Sequence, residues 1–182
     1  MSDGSRPCGP AATRARDGIV VISTARLDLV LQTPEQLLAM VESLSPADRA
    51  EVSAEWLERV RKTPPGDPWM LGFVVIERAT GSPVGHCGFK GPPGEDGAVE
   101  LAYGIDADRR GQGYATEASQ GLAAFARGSG KVRVVRAHTK SDNAASARVL
   151  DKCGFQCVGE VIDPDDGPVL RWECAFTDSS AG

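Results

Sequence analysis

The stretch that most constrains the fold is Ala98-Val99-Glu100-Leu101-Ala102-Tyr103-Gly104-Ile105, an apolar run broken by one carboxylate and followed by a glycine-rich turn. A strand that is apolar at both odd and even positions is buried on both faces, as in sheets covered by crossover helices. Ala118, Leu122 and Phe125 then recur on one face of a helix from about Gly113 to Arg127, and Val132 to Thr139 is again strand-like. Strand, helix and strand in succession make a crossover, which pairs its two strands in parallel.

Antiparallel patterns flank this unit. Ile19 to Ile22 and Leu27 to Leu31 read as two parts of one bent first strand around Ser23 to Arg26. Thr33 is a favoured N-cap, Pro34 suits the first helical position and Glu35 the first turn, so a helix is expected through about Glu42. A second helix starts near Ser45 with Pro46 just inside it. Val52, Trp56, Leu57 and Val60 keep helical spacing along it until Pro64 and Pro65 stop it. Met70 to Ile76, the Thr80-Gly81 turn and Val84 to Lys90 form a hairpin, and Gly91 to Gly97 is a Pro/Gly loop. Asn143 to about Cys153 is a helix closed by Gly154. Phe155 to Ile162 and Val169 to Phe176 are the last strands, turning at Asp163 to Gly167. The expected class is α+β, or α/β in looser naming, with a mixed, mostly antiparallel sheet flanked by helices. One domain is expected over residues 19–176, between a disordered leader at 1–18 and a short tail at 177–182.

Composition narrows the functional classes. At 182 residues the chain is long enough for one sizeable core. No apolar run approaches the ~18 residues of a membrane span, and Met1 to Gly18 lacks the apolar centre of a signal peptide, so a cytoplasmic protein is expected. Cys8, Cys87, Cys153, Cys157 and Cys174 include no CxxC pair, which points to reduced thiols. A metal held by Cys153 and Cys157 with His86 or His138 is weighed and set below ordinary cysteine packing, so no metal is expected. The net charge of -5 argues against a nucleic-acid footprint and leaves room for cationic partners. The oligomeric state stays open, a homodimer included.

The chemistry concentrates in Arg109-Arg110-Gly111-Gln112-Gly113-Tyr114-Ala115-Thr116-Glu117, between a strand and a helix. Glycines permit tight turning, and the unpaired N–H groups and positive dipole end of the helix suit a phosphate or diphosphate. A Walker A loop needs Gly-Lys-Ser/Thr at its end, which is absent. The dinucleotide fingerprint needs Gly or Ala where Thr116 stands. The string Arg110 to Ala115 resembles the R-x-x-G-x-A acyl-CoA motif of the GNAT superfamily. Asn143-Ala144-Ala145-Ser146 through Leu150, then Gly154-Phe155, resembles the second hallmark of its ribosomal-protein N-acetyltransferase-like branch, N-x-x-S-x-x-x-L followed by G-F. Thr24-Ala25-Arg26-Leu27 extends the resemblance, which covers about Ile19 to Phe176.

The resemblance implies a GNAT fold and an N-acetyltransferase with acetyl-CoA as acetyl donor. The amide groups of Gly111, Gln112, Gly113, Tyr114, Ala115 and Thr116 would hold the CoA diphosphate beside Arg110 and Arg109. The pantetheine arm would pair along Tyr103 to Ile105, with Asn143 and Ser146 near the thioester. Asn143 and a first-turn serine are also ordinary capping residues. Glu100 is the candidate general base, since a carboxylate on a buried strand needs a partner, a wet cleft or a task, and desolvation would raise its pKa toward that task. Its alternative is a cross-strand ion pair with Lys90 or Arg136. Ser146 is the candidate acid for the departing thiolate, with Tyr103 and Tyr114 as substitutes. His86 and His138 are held as outsiders. The acceptor would be a primary amine, on a protein N-terminus or a small molecule. The rival function is an acyl-CoA sensor without turnover.

Overall fold

A computed structural model of the chain describes residues 12–16, 19–164 and 166–176, which form a nine-stranded sheet and five α-helices. The strands are β1 (Ala12–Arg16), β2 (Ile19–Ser23), β3 (Leu27–Leu31), β4 (Phe73–Glu77), β5 (Ser82–Phe89), β6 (Ala98–Ile105), β7 (Val134–Thr139), β8 (Gln156–Asp163) and β9 (Gly167–Ala175). The helices are α1 (Pro34–Ser43), α2 (Pro46–Ala50), α3 (Ala54–Lys62), α4 (Tyr114–Gly128) and α5 (Ala144–Lys152). Sheet order is β1-β2-β3-β4-β5-β6-β7-β9-β8, and every pairing is antiparallel except β6 with β7. That exception is the crossover through α4 expected from the sequence.

Three local expectations change. The bent first strand is two strands, because Thr24 N–H donates to the Leu27 carbonyl at 2.9 Å and folds β2 back on β3 with Val21 opposite Val30. The helix from Ser45 is two helices. Ser53 Oγ accepts the Trp56 N–H at 3.3 Å and starts α3, a capping choice that competes with continued helix. Within the expected leader, Ala12–Arg16 pairs with β2 as an edge strand; residues 1–11, 17–18 and 177–182 lie outside the described residues. α1 begins as expected, with the Thr33 and Gln36 side chains each bonding the other's backbone N–H.

The core lies between the sheet and α4. Leu29, Leu31, Phe73, Val75 and Leu101 are buried and pack with Ala118, Leu122 and Ala126 of the helix. Phe125 joins Trp69, Phe73 and Phe89 in an aromatic group, with Trp69 and Phe89 centroids 4.8 Å apart. Behind this group the backbones of β5 and β6 touch so closely at Gly85 that a Cβ there would lie 2.2 Å from the Gly104 carbonyl oxygen and 2.9 Å from Ile105 Cα.

Gly85 also has φ +156, beside the register shift at Val75/Ile76. Gly85→Ala must therefore push β5 off β6, and the expected loss is about 3 kcal/mol or more of stability, read from the urea midpoint at unchanged slope. A midpoint equal to that of the parent protein refutes the close approach.

Candidate active site

β6 and β7 pair only over Ala98–Val134, Val99–Val135 and Glu100–Arg136 and then part. Beyond that point β6 stays with β5 as far as Ile105, and β7 stays with β9 as far as Thr139. In an antiparallel ladder alternate residues turn their backbone groups to opposite neighbours. Lys90 N–H donates to the Glu100 carbonyl and Asp106 N–H to the Val84 carbonyl, so even-numbered residues of β6 face β5. Tyr103 and Ile105 thus turn their backbone groups into the gap. The Ile105 carbonyl already receives Arg110 Nε at 3.0 Å, which draws Arg110 across the mouth.

Two cavities open along this gap. One, of about 340 Å³, is lined by Tyr103, Ile105, Arg110, Gly111, Ala115 and Ser146 among others. The second, of about 220 Å³, includes Lys90, Glu100, His138 and Leu150. Tyr103, Asn143 and Ser146 border both, so they stand at the junction.

The cradle ends the first cavity. Gly111 and Gly113 have φ +75 and +82, conformations that glycine enters without steric cost. Gly113 is the N-cap of α4 and offers no side chain to cap it, so the first amides of a fifteen-residue helix are left for a ligand. Arg109, expected beside the diphosphate, lines the first cavity, and its guanidinium is bound to Glu77 at 2.9 Å. Tyr114 OH also donates to Glu77, and this bond, with one from Thr80, holds the Glu77 carboxyl below its ordinary value. The Tyr114 ring is buried, so its hydroxyl is an anchor for the helix start rather than an acid for the second cavity.

At the junction, Asn143 Oδ1 accepts the Ser146 N–H at 3.0 Å and caps α5. Ser146 does not cap; its Oγ lies 2.7 Å from Tyr103 OH. Burial raises the Tyr103 pKa, and the Ser146 bond only partly counters this, so the phenol keeps its proton near neutral pH and can give it up to a stronger base.

The second cavity holds Glu100 with partners of both kinds. Lys90 Nζ lies 2.6 Å and His138 Nδ1 3.0 Å from Glu100 Oε1. Both approaches are off-line, and Glu100 Oε1 and His138 Nδ1 are buried atoms without an aligned hydrogen bond. On its far side His138 Nε2 accepts Arg171 Nε–H at 3.3 Å. An arginine can only donate, so Nε2 is the acceptor in this contact and Nδ1 is the nitrogen turned toward Glu100. Burial pulls the Lys90 pKa down, and the Glu100 contact together with the charges of Asp163 and Asp166 more than offsets it, with a net rise that keeps Lys90 a cation rather than a base. Arg136, the other expected partner of Glu100, is engaged by Asp96 and Glu173 instead.

The sequence reading thus missed the His138–Glu100 contact, because alternation gives each side chain a face but not the register that brings the two together. His86 is exposed on β5, opposite Gly104, and belongs to neither cavity. Among the described residues no three His, Cys, Asp or Glu side chains gather as a metal site requires, and no helix is long and apolar enough to cross a membrane.

The family model for the acetyltransferase (GNAT) domain matches residues 25–156. The Uncharacterized N-acetyltransferase YjdG of Bacillus subtilis (strain 168) is 32% identical over 83 residues, 46% of this chain and 49% of that protein. The chain spans about half the length of the curated relatives it matches. The ribosomal L7/L12 alpha-N-protein acetyltransferase RimL in complex with coenzyme A superposes with a TM-score of 0.65 at 18% identity, covering 86% of this chain and 98% of the other. Aminoglycoside acetyltransferase AAC(6')-Ib with coenzyme A superposes with a TM-score of 0.61 at 20% identity, over 82% and 94%. At these identities the superpositions speak for the fold.

The geometry separates two neighbouring polar residues on α5. Asn143→Ala removes the cap and should lower stability by about 1 kcal/mol in thermal or urea melts. Ser146→Ala removes only the bond to Tyr103 and should melt within a few tenths of a kcal/mol of the parent. The reverse ranking in matched melts contradicts the assignment of the cap.

Proposed function

We propose that this chain, which belongs to the GNAT acetyltransferase domain family, transfers the acetyl group of acetyl-CoA to a primary amine by direct attack in a ternary complex, using the single domain at residues 19–176. The observation that carries this reading is the gap between β6 and β7, along which an anion cradle, a hydroxyl pair and a carboxylate lie in series. The coenzyme A bound by the fold-similar RimL and AAC(6')-Ib supports the same cosubstrate here.

The residues present fit that cosubstrate. Uncapped amides of Tyr114, Ala115 and Thr116, beside Gly111, Gln112, Gly113 and Arg110, suit a diphosphate. The Tyr103 backbone, turned into the gap, suits the amides of an extended arm. When bound, acetyl-CoA supplies an acetyl carbonyl activated by a thiolate leaving group. The acceptor amine enters from the second cavity as an ammonium of pKa roughly 10 and must lose a proton before its lone pair can attack. Glu100 accepts that proton, directly or through one water, while Lys90 and His138 hold its carboxylate. As the nitrogen–carbon bond forms and the carbon–sulfur bond breaks, the Tyr103–Ser146 hydroxyl pair donates a proton to the sulfur, and the second proton that the nitrogen sheds on becoming an amide returns through water to the pair. Ser146 remains the assigned acid, with Tyr103 as the donor that replenishes it.

The acceptor is a protein N-terminus or a small-molecule amine, the two kinds named for the fold-similar RimL and aminoglycoside enzymes. The Lys90–Glu100 contact favours a second reading, in which Glu100 is locked as an ion pair and the chain binds acetyl-CoA without transfer. Thiol release from acetyl-CoA across a panel of amines, N-terminal peptides and aminoglycosides separates the two. Under the transferase reading Glu100→Gln lowers turnover by about 10²-fold or more, with CoA affinity nearly unchanged. CoA binding with no thiol release from any amine of the panel selects the sensor.

A further inference from the structure

The segment Thr24-Ala25-Arg26-Leu27 lies far from both cavities in sequence and lines neither of them, yet its side chains converge on the cradle from behind. Arg26 sits in the turn between β2 and β3. Its Nη1 and Nη2 each donate to the Gln112 carbonyl at 3.1 Å, and its Nε donates to Glu117 Oε2 at 2.8 Å. Its backbone N–H donates to Glu117 Oε1 at 2.6 Å, the oxygen that also accepts Thr24 Oγ1–H at 2.6 Å. The guanidinium lies 5.0 Å from the centroid of the Tyr114 ring, and its Nη2 would be 3.3 Å from a Cβ at Gly113.

We infer that Arg26 is a positioning residue that aims the diphosphate-binding amides of the Gly111–Thr116 turn. This rests on the acetyl-CoA reading. In a trans peptide the carbonyl and the following N–H point in opposite directions. With the Gln112 carbonyl tied to Arg26, the Gly113 N–H is directed away from Arg26, toward the side on which Gly111, Tyr114 and Ala115 line the first cavity. A residue with φ +82 in a glycine turn has many alternatives, and the peptide between Gln112 and Gly113 could otherwise rotate so that its carbonyl faced the anion. Glu117 keeps Arg26 in place. Burial pushes the Glu117 carboxyl up, but the bonds from Thr24 and Arg26 reverse this and leave it below its ordinary value, so it stays a carboxylate partner at neutral pH.

Because Arg26 is already paired with Glu117, its effect is orientation rather than free positive charge, and that distinction is testable. Lysine keeps the charge but not the fork that grips one carbonyl with two N–H groups. The readout is the ratio of dissociation constants for pantetheine and for CoA, measured by calorimetry, since pantetheine lacks the diphosphate. Arg26→Ala and Arg26→Lys should each weaken CoA at least tenfold while leaving pantetheine within twofold. Glu117→Gln should move the ratio in the same direction by less, and carries the test if Arg26→Ala fails to fold. Equal weakening of both ligands, or an Arg26→Lys protein that binds CoA like the parent, overturns the inference. A parent protein that binds CoA no better than pantetheine overturns the diphosphate assignment itself, and this inference with it.

Discussion

The parting of β6 from β7 is the constraint on which the rest depends. A parallel pair makes slanted, evenly spaced bonds, and ending it after three residue pairs leaves strand backbone without a sheet neighbour. Exposed strand edges in most proteins are shortened or covered, because they recruit other chains. Here the edge is kept open inside the sheet and is tended locally. Arg110 takes the Ile105 carbonyl, and the Tyr103 hydroxyl meets Ser146 at the start of α5, so that the helix stands across the gap.

Around that gap the polar side chains differ in how far they are engaged. Glu100 Oε1 and His138 Nδ1, on the wall of the second cavity, are buried without an aligned hydrogen bond. The other charged groups around the gap are paired: Arg109, itself on the wall of the first cavity, with Glu77, Arg26 with Glu117, Arg136 with Asp96 and Glu173. Such half-exposed pairs add little to net stability. Their stronger consequence is geometric, since each ties the loop or strand that borders the gap to an element far away in the chain. Tyr114 and Arg109, for instance, fasten the start of α4 to the end of β4 through one carboxylate.

Much of this was legible in the residues, and the divisions follow the range of the forces involved. Asn143 as a cap and the two glycines before α4 were readable because a helix end is satisfied by side chains within three residues of it. The crossover was readable from hydrophobic periodicity. The break at Glu51–Ser53 was not, because Val52 and Trp56 keep helical spacing across it and only Ser53, whose hydroxyl reaches the Trp56 amide, signals the new start. Ser146 was ambiguous for the same reason: a serine in a first turn has the same local appearance whether it caps or points elsewhere.

The sequence by itself determined the order of elements from β4 to β9, the acyl-CoA-like turn, the cap of α5 and the singular carboxylate of β6. All of these are set by propensity, periodicity and contacts within a few residues. Only the tertiary structure decided that Glu100 meets Lys90 and His138 while Arg136 goes elsewhere, that Ser146 meets Tyr103, and that Arg26 grips the Gln112 carbonyl. Alternation assigns a side chain to a face of a strand. The neighbour it finds there is set by the register between strands, by the point at which they separate, and by helices that arrive from distant parts of the chain.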